Sequence, residues 1–190
     1  MTEQTALVAP GTTPGAATPY RVLGLDLSLT STGVAYPDGR TARIRTNIKD
    51  GDRRLNIIRR EIEAAIGAYW PHLAVLEDLP VHAKSAGITG MVHGVARAAL
   101  ADAKVPVALI APATLKAYAV DNGAASKADM VLAAEAAARH VIAYHDEADA
   151  WWLRAAGLQH LGYPVVDVTD KQAARLAKAK WPTHTTEVTP

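Results

Sequence analysis

A carboxylate interrupts the first strand-like run of this chain. In VLGLDLSLTSTGVAY, residues 22–36, Val22 to Leu25 read as the apolar body of a strand, Asp26 follows directly, and a turn rich in Ser and Thr comes next. Strands are poor in Asp, and a carboxylate withdrawn from water is unfavourable unless something compensates it. A fold that starts this way must bring a partner to Asp26.

The surrounding pattern is that of an α/β domain. Tyr20–Leu27, Thr32–Tyr36 and Arg40–Thr46 read as three short strands, the last two joined by the hairpin signal Pro37-Asp38-Gly39. The period then changes. Leu55, Ile58, Ile62, Ile66 and Tyr69 fall three and four apart and predict a helix over 50–70 that Pro71 stops. HLAVLED, 72–78, lies between Pro71 and Pro80 and reads as a buried strand; VPVALI, 105–110, reads as another. Further helices are expected at Ser85–Ala103, with Ile88, Met91, Val92, Val95 and Ala99 on one side, and at Ala113–Val120. Two more are expected at Ser126–Ala143, where Ser126 and Asp129 are spaced as a variant capping box, and at Asp146–Leu161. The order βββ-α-β-α-β-α-α implies a mixed five-stranded sheet, antiparallel in strands 1–3 and parallel in strands 4–5, with helices on both faces. Trp151 and Trp152 are expected in the core rather than as a base-stacking pair.

The domain organisation follows. Residues 1–19, rich in Thr, Pro, Gly and Ala, are expected to form a disordered arm and lack the basic start and apolar stretch of a signal peptide. Residues 20–163 form the domain, and 164–190 are expected to be a basic tail carrying Lys171, Arg175, Lys178 and Lys180. No apolar run approaches the ~20 residues that cross a bilayer, so no membrane association is expected. There is no cysteine in the 190 residues, which excludes disulfides and thiolate metal sites and is compatible with a cytoplasmic location.

Asp26 is not the only acidic anomaly. Glu77 ends the strand LAVLE, and in HDEADAWWLRAAG Asp146 and Asp149 stand three apart at a helix start, on one helix face. Each has an ordinary use, in a turn or beside a helix N-terminus. Their shared placement at element ends calls for a common explanation. Carboxylates brought together repel and would take up protons, a conflict that divalent cations remove. Oxygen donors without cysteine suit Mg²⁺ or Mn²⁺, and two such ions about 3.5–4 Å apart activate water and stabilise a leaving oxygen in phosphodiester hydrolysis.

At this point the chain resembles a known family. LGLDLSLTSTGVAY, AVLEDLP, APATLKAYAVDNGAASKADM and DEADAWWLRAAG, in order over about residues 21–160, are similar to the successive motifs of RuvC-type Holliday junction resolvases. The resemblance implies an RNase H-like fold and a homodimeric, Mg²⁺-dependent endonuclease, active in DNA recombination and repair, that nicks a four-way junction symmetrically. It implies that Asp26, Glu77, Asp146 and Asp149 are the metal ligands. His145, adjacent and four before Asp149, is an alternative ligand to Asp146, and Glu147 is expected to face solvent. Lys116 and Lys127 match the family's basic active-site residues. One departure is plain. The family often carries an aromatic after the second acidic residue, whereas EDLPVHAKSAG has none and the chain contains no Phe, leaving Pro80, Val81 or His82 at that place. The Ala-rich composition points to a phage or actinobacterial variant.

Net charge is only +1, but Arg40, Arg43, Arg45, Arg53, Arg54, Arg59 and Arg60 crowd the first third. Lys84, Arg43, Arg45, Arg53 and Arg54 are the expected contacts to DNA phosphates. The Gly and Ala residues of the helix at 85–103, Gly87, Gly90, Gly94, Ala98 and Ala99, make it the expected dimer interface. Three other readings compete: a nuclease of the same fold acting on flaps or forks, a sugar-kinase or actin-like ATP-binding domain, and an inactive DNA-binding dimer. The second would need another Asp-Gly phosphate motif and a longer chain. The third is disfavoured by acidic residues at all four positions.

Overall fold

The computed structural model describes residues 20–79 and 86–183. Five strands, β1 (Val22–Asp26), β2 (Ser31–Ala35), β3 (Thr41–Arg45), β4 (Leu73–Glu77) and β5 (Val107–Ile110), form one sheet in the order β3-β2-β1-β4-β5. β1–β2 and β2–β3 pair antiparallel, β1–β4 and β4–β5 parallel, as the element order implies. The hairpin between β2 and β3 closes where Pro37-Asp38-Gly39 signals it, with Gly39 at φ +92° and Tyr36 N–H donating to Arg40 O at 2.8 Å.

The two central strands are buried on both faces, and their side chains alternate between two cores. Val22, Leu73 and Val75 point to one, Leu23, Leu25, Ala74 and Leu76 to the other. The second core is covered by α1 (Arg53–Tyr69) and α2 (Ala86–Asp102). α1 buries Ile58, Ile62 and Ile66 of the expected stripe, with Ala65 beside them and Leu55 and Tyr69 only partly buried, and ends in left-handed Trp70 directly before Pro71. The first core is covered by α3 (Pro112–Val120), α4 (Lys127–Ala138) and α5 (His145–His160). Trp151 and Trp152 sit there, 3% and 2% exposed, with Trp152 Nε1 donating to Met130 O at 3.2 Å.

α5 lies unusually close to the sheet. A Cβ on Gly24 would fall 2.1 Å from Ala150 O, and one on Gly33 only 1.9 Å from Asp146 O. Only glycine admits these approaches, so two positions that look like weak points in β1 and β2 are what seats the helix.

The structure corrects several expectations. α4 has the Ser126/Asp129 capping box but ends at left-handed Arg139 rather than Ala143. Glu135 accordingly turns back to accept Ile142 N–H at 3.1 Å. On α2, Ile88 and Met91 are exposed while Val92, Ala96, Ala99 and Leu100 are buried, so the core face is rotated from the expected stripe. Ala99 belongs to the core and not to an outward interface. Past Tyr163 the chain keeps packing. Helix α6 (Asp170–Ala174) and a 3-10 turn (Arg175–Lys178) follow, Val166 and Leu176 are buried, and Lys180 pairs with Leu109 on the edge of β5. Lys171 and Lys180 bind Asp121 and Asp78 at 2.8 and 2.6 Å, so part of the basic segment is paired within the chain. Among the described residues no helix is long and apolar enough to cross a membrane.

Candidate active site

Strand alternation decides where the first two carboxylates go. Positions 22, 24 and 26 of β1 and 73, 75 and 77 of β4 share the face that α5 covers. The parallel register pairs Leu25 with Leu76, so Asp26 and Glu77 end adjacent strands side by side. α5 packs on that face and brings the start of its first turns over them. Its backbone at Asp146 lies against Gly33, which is itself the register partner of Asp26. Four carboxylates from three separate segments thus lie at one end of the sheet, near enough for Asp26 to feel the charge of the other three.

Their electrostatics reports the crowding. Asp26 is pushed well above the ordinary carboxylate range, by burial first and then by the charges of Glu77, Asp149 and Asp146, with Lys127 opposing. Glu77 is raised to about 7 by burial and by Asp149, against Lys116 and Lys127. Asp149 is raised to about 6, mainly by burial, with Asp146 adding to it and His145, Lys116 and Lys127 opposing. Lys116 and Lys127 therefore stand where their charge is felt by the carboxylates. Lys116 Nζ donates to Ala125 O at 2.7 Å, which holds it beside the start of α4, and Lys127 Nζ lies 3.3 Å from Nε2 of His145.

Asp146 is 6% exposed and occupied by neighbours: Ser31 Oγ donates to one of its oxygens and His145 Nδ1 contacts the other. Among the described residues no three acidic or imidazole groups are gathered closely enough to hold an ion as they stand. The donor set nevertheless fits a hard divalent cation. It includes the carboxylates of Asp26, Glu77 and Asp149, whose burial first and mutual repulsion second favour protonation, and a cation would offset both.

Two contacts were not legible in advance. Ser31 opens β2 directly after the Ser- and Thr-rich turn that follows Asp26, a turn tied by Thr32 Oγ1 donating to Ser28 O at 2.7 Å. That composition was the available signal. Glu147 does not face solvent as expected: it accepts from Thr41 Oγ1 at 3.2 Å and lies 3.8 Å from Arg43. Its place is set by β3, which no local pattern specifies.

The expected DNA-contacting residues divide. Arg43 is half-buried, with its guanidinium 3.1 Å over the ring of Tyr144, the residue preceding α5. Arg45 is exposed and pairs in register with Ser31, the residue whose hydroxyl binds Asp146. Arg53 is exposed at the start of α1, and Arg54 Nε donates to Gly51 O at 2.9 Å; neither enters the carboxylate cluster. Lys84 lies outside the described residues, as do Pro80, Val81, His82 and the arm at 1–19.

A five-stranded sheet of this order and polarity, with acidic residues ending its two central strands and a helix bringing more across them, defines an RNase H-like domain. The chain belongs, more narrowly, to the RuvC family of crossover junction endodeoxyribonucleases. The RuvC of Hyphomonas neptunium is 35% identical over 122 residues, 58% of this chain and 73% of its own. That of Acidobacterium capsulatum is 40% identical over 76 residues, 39% of this chain and 44% of its own. Among solved structures, RuvC of Thermus thermophilus superposes with a TM-score of 0.64 at 18% identity, covering 76% of this chain and 98% of that one. The same protein in complex with Holliday junction substrate gives 0.65, covering 86% and 99%. No protein-family model matches the chain.

Proposed function

We propose that this chain resolves four-way DNA junctions by hydrolysing phosphodiester bonds at the Asp26–Glu77–Asp149 cluster. The supporting observation is the convergence of these carboxylates from β1, β4 and α5, with Glu77 raised to about 7 by burial and by Asp149, and Asp149 raised to about 6 mainly by burial. Such crowding suits a cation site better than a structural role. Asp26, Glu77, Asp149 and Asp146 would hold Mg²⁺ or Mn²⁺, two ions in the reading we favour, with His145 as the alternative to Asp146. The metal would supply a water activated for attack and charge to offset that on the leaving oxygen. Ser31 fixes the carboxylate of Asp146. Lys116 and Lys127 direct positive charge at the scissile phosphate, where charge develops in the transition state. Arg43 and Arg45 position the phosphate backbone, while Arg53, Arg54 and Lys84 add contacts further out.

Symmetric nicking of a junction needs two such sites, hence a homodimer with two-fold symmetry. The outward side of α2 is its proposed interface. Gly87, Gly90 and Gly94 have open space beside them there, and Ile88 and Met91 are 51% and 44% exposed. Residues 20–163 are proposed as the catalytic domain.

The deciding experiment incubates the protein with labelled four-way junction, fork, flap and linear duplex, with and without Mg²⁺. Paired, Mg²⁺-dependent cuts in the four-way junction are expected. Preferential cutting of forks or flaps would reassign the substrate, and no cleavage of any branched DNA would overturn the proposal.

A further inference from the structure

Five residues beyond Asp149, α5 carries a buried charge of the opposite sign. Arg154 is 7% exposed. Its Nη2 donates to Pro37 O at 2.8 Å in the β2–β3 turn, and its Nε is sealed from solvent with no hydrogen-bond partner among the described residues. The carboxylate whose charge favours it, Asp38, is already held by Arg40 at 2.8 Å and by the Tyr69 hydroxyl at 3.1 Å. No ion pair to Arg154 forms among the described residues. A buried guanidinium without a counter-ion carries a desolvation penalty that an anion would offset.

Arg154 also lines an open cleft of about 1100 Å³ bordered by α4, α5, the β2–β3 turn and the stretch 165–168. Its walls are mixed: Ala137, Trp151, Trp152, Val166 and Val168 supply apolar surface, and Asp38 and Arg40 of the turn line it as well. Arg139 and His140 stand at its rim with Asp167 and Gln172. Arg139 is exposed and makes no ion pair among the described residues. The volume far exceeds that of an inorganic ion and is of the size that takes a small organic molecule. A guanidinium is the side chain best shaped for a carboxylate or phosphate oxygen pair.

We propose that this cavity is a binding site for an organic anion, an apolar body against Trp151 and the valines with a carboxylate or phosphate-monoester head at Arg154. The site is separate from the carboxylate cluster, and the proposal stands whether or not the chain cleaves junctions.

Tryptophan fluorescence of the full chain tests it, since Trp151 lines the cavity. The probes are octanoate, octyl phosphate, octanol and inorganic phosphate. At least one of the two amphiphilic anions should give a saturable change and bind roughly tenfold or more tighter than octanol or phosphate, the size of one charge-assisted hydrogen bond. Arg154→Met should weaken that binding by a similar factor, and Arg154→Lys should retain part of it. Ala137→Leu, which narrows the wall and leaves the charge, should also weaken it and decides the matter if Arg154→Met does not fold. Equal binding of octanol, undiminished binding by folded Arg154→Met or by Ala137→Leu, or no binding of either anion at millimolar concentration would overturn the proposal.

Discussion

The two faces of the sheet are built from different materials. The face under α1 and α2 is built on aliphatics: Leu23, Leu25, Ile58, Ile62 and Leu76 meet there. The face under α5 is packed through Gly24, Gly33, Ala150, Trp151 and Trp152, and it bears Asp26, Glu77, Asp149, Asp146 and Arg154. One face buys stability; the other uses it to hold charges that water would otherwise claim. Substitutions should therefore affect stability alone on the first face, and stability and chemistry together, sometimes in opposite directions, on the second.

The sharpest break in that comparison is at the carboxylates. Asp26→Asn or Glu77→Gln should lower junction cleavage by at least about 10³-fold, the loss expected when an essential charge-stabilising group is removed. The same change relieves repulsion, so the metal-free protein should melt higher, by a few degrees. Near-wild-type turnover of either variant in a cleavage assay with Mg²⁺ would sink the assignment.

Next in size is the helix seat. Gly24→Ala sets a methyl 2.1 Å from Ala150 O, a backbone atom that cannot rotate away. We expect a loss of about 3 kcal/mol in denaturant unfolding, at the upper end for overpacking, and impaired cleavage in the protein that remains folded. On the opposite face Ile62→Val should cost about 1 kcal/mol and leave cleavage unchanged. Equal, purely thermodynamic effects at both positions would erase the distinction between the faces.

Two basic residues give the third contrast. Lys127, whose charge opposes the raised pKa of Asp26, Glu77 and Asp149, should when changed to Ala slow single-turnover cleavage of saturating junction by about 10²-fold. Arg53, exposed at the start of α1, should when changed to Ala only weaken binding, be rescued by lower salt, and reduce the salt slope by about 0.9. A wild-type rate for Lys127→Ala at saturation would return that lysine to the solvated surface.

The smallest effect is in pH. The folded chain holds the protons of Glu77 and Asp149 up to about 7 and about 6, above the ordinary 4.5 and 3.8. Between those limits folding takes up protons, so this contribution is full below the unfolded values and is lost as pH rises through the folded ones. In EDTA, unfolding free energy should decline from pH 4.5 to 7 by on the order of 2 kcal/mol more in wild type than in Glu77→Gln. Added Mg²⁺ should restore part of it. Parallel pH profiles for the two proteins would count against a crowded site.

Local chemistry alone determined much of this protein. Val22–Leu25 and LAVLE had to be buried strands because they are continuous apolar runs between breakers, and Ile58, Ile62 and Ile66 had to share a helix face. Gly39 follows from its hairpin turn, and the Ser126/Asp129 capping box from a spacing of three. Strand alternation even fixed the common face of Asp26 and Glu77 once β1 and β4 were neighbours. What local pattern could not supply was everything that depends on a second surface. The rotation of α2 that buries Ala96 and Leu100 and exposes Ile88 and Met91 is chosen by the core it packs on, since its apolar residues are not confined to one narrow stripe. Ser31 reaching Asp146 across 115 positions, Glu147 turned to β3, and the packing of 165–181 onto β5 and α5 are long-range pairings with no short-range signature. Arg154 is the clearest case: in sequence it is one more charge on a helix, and only the β2–β3 turn folded over it makes it a buried cation beside a cavity.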